Sequence, residues 1–211
     1  MNTHIILLEG TCGTGKSTLI KGLLTRHVAE EDRPRTLVHL SQGHTYFPLA
    51  SSDLPATPGK RLCREHLRRL LRMIDLPDVP ELRPARWFTL FGLIDTLHLT
   101  QAFRPGVLNW AELAYVDRFL FDRGARMIFL RASPETLWRR LILERGASSV
   151  EYLSLYQRKY GATPEGVHAY YVREQAEMEA FARRSRMEVK FLDAEREAGS
   201  LLEEGYGFWK R

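Results

Sequence analysis

A chain of 211 residues with 44 % hydrophobic and 27 % charged side chains is too apolar to be disordered and too mixed to be fibrous, and its length allows one substantial core but is short for two. Its 31 Lys and Arg against 26 Asp and Glu leave a net charge of +5, an excess that suits phosphorylated ligands without identifying them. Two cysteines cannot build a disulfide framework, and with no basic-then-apolar leader and no apolar run approaching about 18 residues the expectation is a cytoplasmic protein, neither secreted nor inserted in a membrane.

His4 to Leu8 is a short apolar, β-branched run that ends at Glu9-Gly10 and reads as a buried strand. Lys16 to Leu24 then changes to helical spacing, with Leu19, Ile20, Leu23 and Leu24 on one side. Thr36 to Leu40 reads as a second strand, with a polar loop from Ser41 to Tyr46 at its C-terminal end. The stretch SSDLPATPGK, residues 51–60, comes nearest to a linker, but it leads straight into the helical REHLRRLLRMI. A substrate-side excursion over about 51–83 is therefore expected in place of a domain boundary, and one domain should span 1–211.

Three prolines break the pattern before Trp87 to Ile94, a near-continuous apolar run that ends at Asp95. Length and aromatic content favour a central strand, although periodicity alone leaves open a helix running to Phe103. Asn109 and Glu112 are spaced as a capping box for a helix over 110–123, closed by Gly124. ARMIFLRA is the next strand, and Ser133-Pro134-Glu135 opens a helix to about Arg145. Ser148 and Glu151 offer a further capping box, and Thr163-Pro164-Glu165 starts a long helix to about Arg184. Met187 to Leu192 is the last strand. Strands alternating with helices predict an α/β fold: five parallel strands, right-handed crossovers and helices on both faces.

Between the first strand and helix, Gly10-Thr11-Cys12-Gly13-Thr14-Gly15-Lys16-Ser17 satisfies G-x-x-x-x-G-K-[ST] without a mismatch. Glycines let the backbone turn its N–H groups inward, so that they and the helix N-terminus bind phosphate oxygens while Lys16 neutralises the β/γ charge and Ser17 ligates Mg²⁺. A glycine turn that bound nothing would leave Lys16 an unpaired charge in a crowded turn. Glycines at 10, 13 and 15 do not fit the dinucleotide pattern G-x-G-x-x-G. The expected nucleotide contacts run from Gly10 through Thr18.

EGTCGTGKST in a short αβ chain resembles the P-loop kinases of small metabolites, and most of all the thymidylate kinase and deoxynucleoside kinase group. The resemblance is specific over residues 5–20 and architectural beyond them. It implies a three-layer P-loop kinase fold with a small helical lid at about 145–162, ATP and Mg²⁺ as cofactors, and transfer of the γ-phosphate to a small-molecule hydroxyl or phosphate. Asp95 best matches the family's strand-end acid, which orients the acceptor, takes its proton or holds Mg²⁺ through water. Asp117-Arg118 is a rival acid–arginine pair, but it fits an amphipathic helix. Within ETLWRRLILERG, Arg140 and Arg145 align with the phosphate-binding arginines, while Arg139 points differently. Glu9 precedes the loop as the family's acid does, to order the metal or the acceptor or to support the loop.

Two departures bear on the acceptor. Cys12 stands where thymidylate kinases carry an acid or arginine, and Asp95 is followed by Thr96-Leu97-His98 where the family has arginine. Both missing groups contact the acceptor in those enzymes, which argues against thymidine monophosphate. A nucleoside- or nucleotide-like acceptor leads, with an antibiotic or other secondary-metabolite alcohol as the alternative. Gln42, His44, Tyr46 and His98, from loops at strand C-termini, are the candidate lining residues. An ATP-binding regulatory module is a further reading. A GTPase switch is disfavoured by the lack of N-K-x-D, and nucleic acid ranks last because no basic tail is visible. Leucine-rich helix faces make a homodimer reasonable.

Overall fold

In the computed structural model, which describes residues 2–30, 35–45, 60–75, 89–103 and 109–211, the first apolar run forms β1 (Asn2–Glu9) and the glycine loop leads into α1 (Lys16–Ala29). There follow β2 (Arg35–Leu40), a short α2 (Gln42–Thr45), α3 (Lys60–Ile74), β3 (Thr89–Asp95), α4 (His98–Phe103), α5 (Trp110–Asp122) and β4 (Arg126–Arg131). Next come α6 (Pro134–Trp138), a π-helical segment (Arg139–Glu144), α7 (Arg145–Ser148), α8 (Val150–Tyr160), α9 (Pro164–Ala182), β5 (Glu188–Asp193) and α10 (Ala198–Lys210). The expected excursion lies mostly outside the described residues, apart from α3.

The five strands are parallel in the order β2-β3-β1-β4-β5. Alternating side chains of β1 divide between two cores. Ile5 and Leu7 pack with α3, α5 and α9, while Ile6 and Leu8 pack with α1 and α10. Both faces being covered, the strands read as continuous apolar runs and not as alternating ones. This settles the Trp87–Asp95 run as strand from Thr89, with β3 beside β1 in register from Asn2↔Thr89 to Leu8↔Asp95. Asp95 thus ends its strand next to the residue before Glu9. Among the described residues no helix is long and apolar enough to cross a membrane.

Two local expectations are corrected, and one helix is added to those expected. The loop after β2 coils at once into α2, with Thr45 and His44 N–H groups bonded to Ser41 O at 3.1 and 2.8 Å. The cap of α8 is Ser149, whose hydroxyl accepts from Tyr152 N, because Ser148 is still inside α7 and donates to Arg145 O. The C-terminal helix α10 carries three glycines that lower its intrinsic propensity, so local signals stop short of it. Burial of Leu201, Tyr206, Phe208 and Trp209 forms it instead, and Trp209 Nε1 donates to His4 O at 3.0 Å.

Asp117, on the inner face of α5, joins that helix to the turn before β5. Its carboxylate accepts from Ser185 Oγ at 2.5 Å and Arg186 N at 2.9 Å and lies 3.5 Å from His98 Nε2. Burial pushes its carboxyl up toward the neutral form, but His98 and these donors outweigh that and hold it below the usual range. A depressed carboxylate contributes stability above its unfolded pKa and loses it as pH falls through the folded one. Asp117→Ala should therefore cost about 3 kcal/mol at neutral pH, a Tm drop of roughly 6–12 °C. Thermal melts should show the gap from wild type narrowing in acid; a gap that is small or independent of pH would assign the residue no such role.

Candidate active site

The loop between β1 and α1 needs glycine for steric reasons. Gly10, Gly13 and Gly15 have φ of 141°, 85° and 87°, and a Cβ on Gly10 would stand 2.5 Å from the carbonyl oxygen of Leu130. The loop folds tightly enough for Thr14 Oγ1 to donate to Thr11 O at 2.9 Å. Lys16 is only 7 % exposed, and its Nζ donates to Gly10 O at 2.6 Å and Thr11 O at 2.9 Å. The ammonium is thus held by two backbone carbonyls and faces the hollow of the loop. Helix α1 has no side-chain cap and no acid in its first turn. Its first internal donors are Thr18 and Leu19, both to Gly15 O, so the N–H groups of Lys16 and Ser17 point out of the helix as an anion cradle.

Beside the loop a cavity of 570 Å³ is bounded by Gly15, Thr18, Arg140, Ala194 and Arg196 among others. Its volume suits a nucleotide. Arg140 spans its rim, with Nη1 donating to Gly13 O at 3.2 Å and Nη2 to Ala194 O at 3.0 Å. Arg145 Nη1 lies 3.0 Å from Cys12 Sγ and 3.1 Å from Tyr152 Oη. On an α-helix residues five apart are separated by about 140°. The π-helical segment, with its i→i+5 repeat, turns Arg140 and Arg145 to the same side, one to each flank of the loop. Arg139 instead points to Glu144, 3.5 Å away.

On the other side of Lys16 stands Asp95, 6 % exposed at the C-terminal end of β3. Burial pushes its carboxyl above the ordinary Asp range, and the Lys16 ammonium pulls it partly back. Thr96 follows with φ 61°, a left-handed conformation that a β-branched residue adopts only under constraint. The constraint is visible: Thr96 N donates to Leu8 O at 2.8 Å, and its hydroxyl donates to Asp95 Oδ1 at 3.1 Å. Thr45 Oγ1 donates to Asp95 O at 2.8 Å, and Gln42 Nε2 comes within 3.5 Å of Asp95 Oδ1 and of Thr96 Oγ1. Glu9 is fully buried and accepts from Leu97 N (2.8 Å), Leu99 N (3.2 Å) and Thr100 Oγ1 (3.1 Å). It caps α4 and so fixes the turn carrying Asp95 and Thr96, a supporting role and not one at the open site.

Of the four residues expected to line the acceptor side, Gln42 is brought to Asp95. His44 is exposed, with Nδ1 3.1 Å from Ser41 Oγ. Tyr46 lies outside the described residues. His98 is the correction: the chain turns inward after Thr96, and the imidazole is wholly buried against Asp117 and stacked on Trp110 with centroids 6.0 Å apart. It belongs to the core and cannot line an open site. Asp117 and Arg118 are helical, as their amphipathic spacing indicated, and do not end a strand. Two contributors have no sequence signal: Glu174 of α9, which is buried and accepts the Thr11 hydroxyl, and Arg196, which reaches the cavity from the β5–α10 turn.

No family model matches the chain, and no curated protein matches it in sequence. Solved structures do. The YorR protein of Bacillus subtilis, crystallised in complex with phosphorylated GDP, aligns with a TM-score of 0.57 at 15 % identity, over 98 % of this chain and 95 % of that one. A gluconokinase from Sinorhizobium meliloti aligns at 0.52 and 13 % identity, covering 98 % and 91 %. A sugar kinase from Janibacter, solved unliganded, aligns at 0.52 and 13 %, covering 100 % and 95 %. At these identities the likeness establishes the fold alone, a parallel α/β sheet flanked by helices, and none of the three is described as a thymidylate or deoxynucleoside kinase.

Proposed function

We propose that this protein is an ATP- and Mg²⁺-dependent phosphotransferase acting on a small-molecule hydroxyl or phosphate, with a nucleoside- or nucleotide-like acceptor first. The observation that carries this reading is the placement of Lys16 between an anion-binding loop and a buried carboxylate: the loop offers outward N–H groups to a polyphosphate, and Asp95 stands on the neighbouring strand within the field of the same ammonium. A loop that only bound nucleotide has no need of a desolvated acid fixed by a strained neighbour. The kinases among the structural neighbours support phosphotransfer, and the gluconokinase and sugar kinase widen the acceptor class to sugar-like alcohols.

The residues present fit the metal. Ser17 is exposed at the first turn of α1, and its hydroxyl makes no hydrogen bond among the described residues, as a ligand for Mg²⁺ beside substrate phosphates requires. When bound, Mg²⁺ neutralises charge on the β- and γ-oxygens. The chain's own work is then separable. Backbone N–H groups from Gly13 to Ser17 hold phosphate oxygens, and Lys16 offsets their charge. Asp95 accepts the proton of the attacking hydroxyl, its geometry fixed by Thr96, Gln42 and Thr45. Arg140 and Arg145 lie over the transferring group, and α7 with α8 serves as the lid that excludes water. The α8 tyrosines pack on one another, Tyr152 with Tyr156 at 4.2 Å and Tyr156 with Tyr160 at 5.5 Å between centroids, and Tyr160 stacks on Tyr170 at 4.3 Å, which seats the lid on α9.

The test is a coupled ADP-release screen with Mg²⁺ over nucleosides, nucleoside monophosphates, sugars and aminoglycoside-like alcohols. An acceptor-dependent signal is expected, and ATP hydrolysis that ignores every small acceptor but answers to a protein would favour the regulatory module instead. Arg145→Ala should then lower kcat/KM by about 10–100-fold with little change in Tm, because the guanidinium is exposed and its loss leaves no buried partner charge. An unaltered kcat/KM would remove Arg145 from the site.

A further inference from the structure

The chain's +5 charge is not spread over its surface. Helix α3, KRLCREHLRRLLRMI, holds six of the basic residues (Lys60, Arg61, Arg64, Arg68, Arg69, Arg72) and one acid, Glu65. Removing these from the totals leaves 31 − 6 = 25 basic and 26 − 1 = 25 acidic residues in the remaining chain. Every unit of the protein's net charge is therefore carried by one helix of fifteen residues. The packing decides where that charge points. Cys63, Leu67, Leu70, Leu71 and Ile74 are buried in the core, so the arginines occupy the outer face.

Part of the charge is neutralised in place. Lys60 and Arg64 both pair with Glu112, at 3.1 and 2.5 Å, and Arg61 pairs with Glu65 at 3.3 Å. Arg68, Arg69 and Arg72 are exposed and make no ion pair among the described residues. Holding three unpaired guanidinium groups within five positions costs mutual repulsion, which an anionic partner relieves. Exposed Tyr115 of α5 lies alongside, within the field of Arg68 and Arg64.

We propose that this outer face of α3 binds the phosphate backbone of a nucleic acid. Five of the six cations are arginine, whose planar fork matches phosphate oxygens, and Tyr115 adds an aromatic surface for a sugar or base. The stripe from Arg61 to Arg72 is about 16 Å long, which covers several phosphates of a strand. A bilayer is a poorer fit, because the helix's main apolar face is spent on the core, which leaves Leu62 and Met73 alone on this helix to enter lipid. The face also adjoins α2, since His66 Nε2 donates to His44 O at 2.7 Å, so a bound strand would lie on the Asp95 side of the protein. The inference stands independently of phosphotransfer.

The test is fluorescence anisotropy of a labelled oligonucleotide of roughly 20 nucleotides, single-stranded and duplex, titrated with the full chain in a salt series starting at about 50 mM. Wild type and Lys16→Ala should bind alike, which separates this surface from the nucleotide site. The triple variant Arg68→Gln, Arg69→Gln, Arg72→Gln should bind about tenfold or more weakly and lose about 2 from the salt slope on single strands, while the matching triple Lys variant largely retains binding. Circular dichroism of all variants checks the fold. The proposal is overturned by wild type that does not bind at the lowest salt, by a Gln variant with unchanged affinity and slope, by equal binding of polyglutamate, or by capture on phosphatidylserine vesicles without binding of the oligonucleotide.

Discussion

Replacing Lys16 by alanine should reduce ATP-dependent phosphoryl transfer by about 10³-fold or more while leaving the protein folded. The size of the loss follows from what the ammonium does. It is held inside the loop, preorganised by Gly10 O and Thr11 O at the place where β/γ charge would sit, and a single preorganised donor to developing charge is worth about 10²–10³-fold even when neutral. Stability should move the other way or not at all. A buried ammonium with two carbonyl partners is costly to desolvate, and relief of that cost offsets the loss of the countercharge that Lys16 gives the buried Asp95. Steady-state kinetics beside a thermal melt reads both quantities. Activity within tenfold of wild type in a folded variant would contradict the proposed role.

Asp95→Asn should lower kcat by about 10²–10⁴-fold with KM for ATP little changed, since the acid serves the attacking hydroxyl and not the bound nucleotide. Here too activity and stability should separate. Burial raises the carboxyl's pKa in the folded protein, so the native state binds more protons than the unfolded one through the window between the two values. Stability contributed by Asp95 is present below the unfolded pKa and lost as pH rises through the folded one. At neutral pH the ionised acid is therefore a burden, and Asn should match or exceed wild type in Tm. The base must be ionised to act, so the acid limb of kcat/KM should fall above the ordinary Asp range. A variant that loses activity and stability together would mark Asp95 as structural, and an acid limb near pH 4 would show that burial does not govern it.

The parts of the site that sequence predicts well are those whose requirement is local. Glycines at 10, 13 and 15 are demanded by backbone conformation, and an apolar run that stops at an acid marks Asp95 because a buried strand must surface where its run ends. What escapes sequence is set by contact across the chain or by departure from a residue's habit. Thr96 adopts a conformation its β-branch disfavours, so no propensity points to it. Arg140 and Arg145 share a side only through a π-helical turn, which a 3.6-residue period does not foresee. Glu174 meets Thr11 from 163 residues away. His98 reads as a loop residue because it is polar and follows a strand, yet α4 carries it into the core, where Asp117 offsets the cost of burial. The charge on α3 looks dispersed along the chain until burial shows which side of the helix each arginine occupies.

Titration calorimetry of Mg²⁺·ATP into the folded chain of 211 residues tests most directly whether residues 10–17 are built around a polyphosphate. Saturable heat at one site per chain is predicted, weakened by about 100-fold or more in Lys16→Ala. Absence of heat with both ATP and GTP, or equal affinity in the Lys16 variant, would contradict the account.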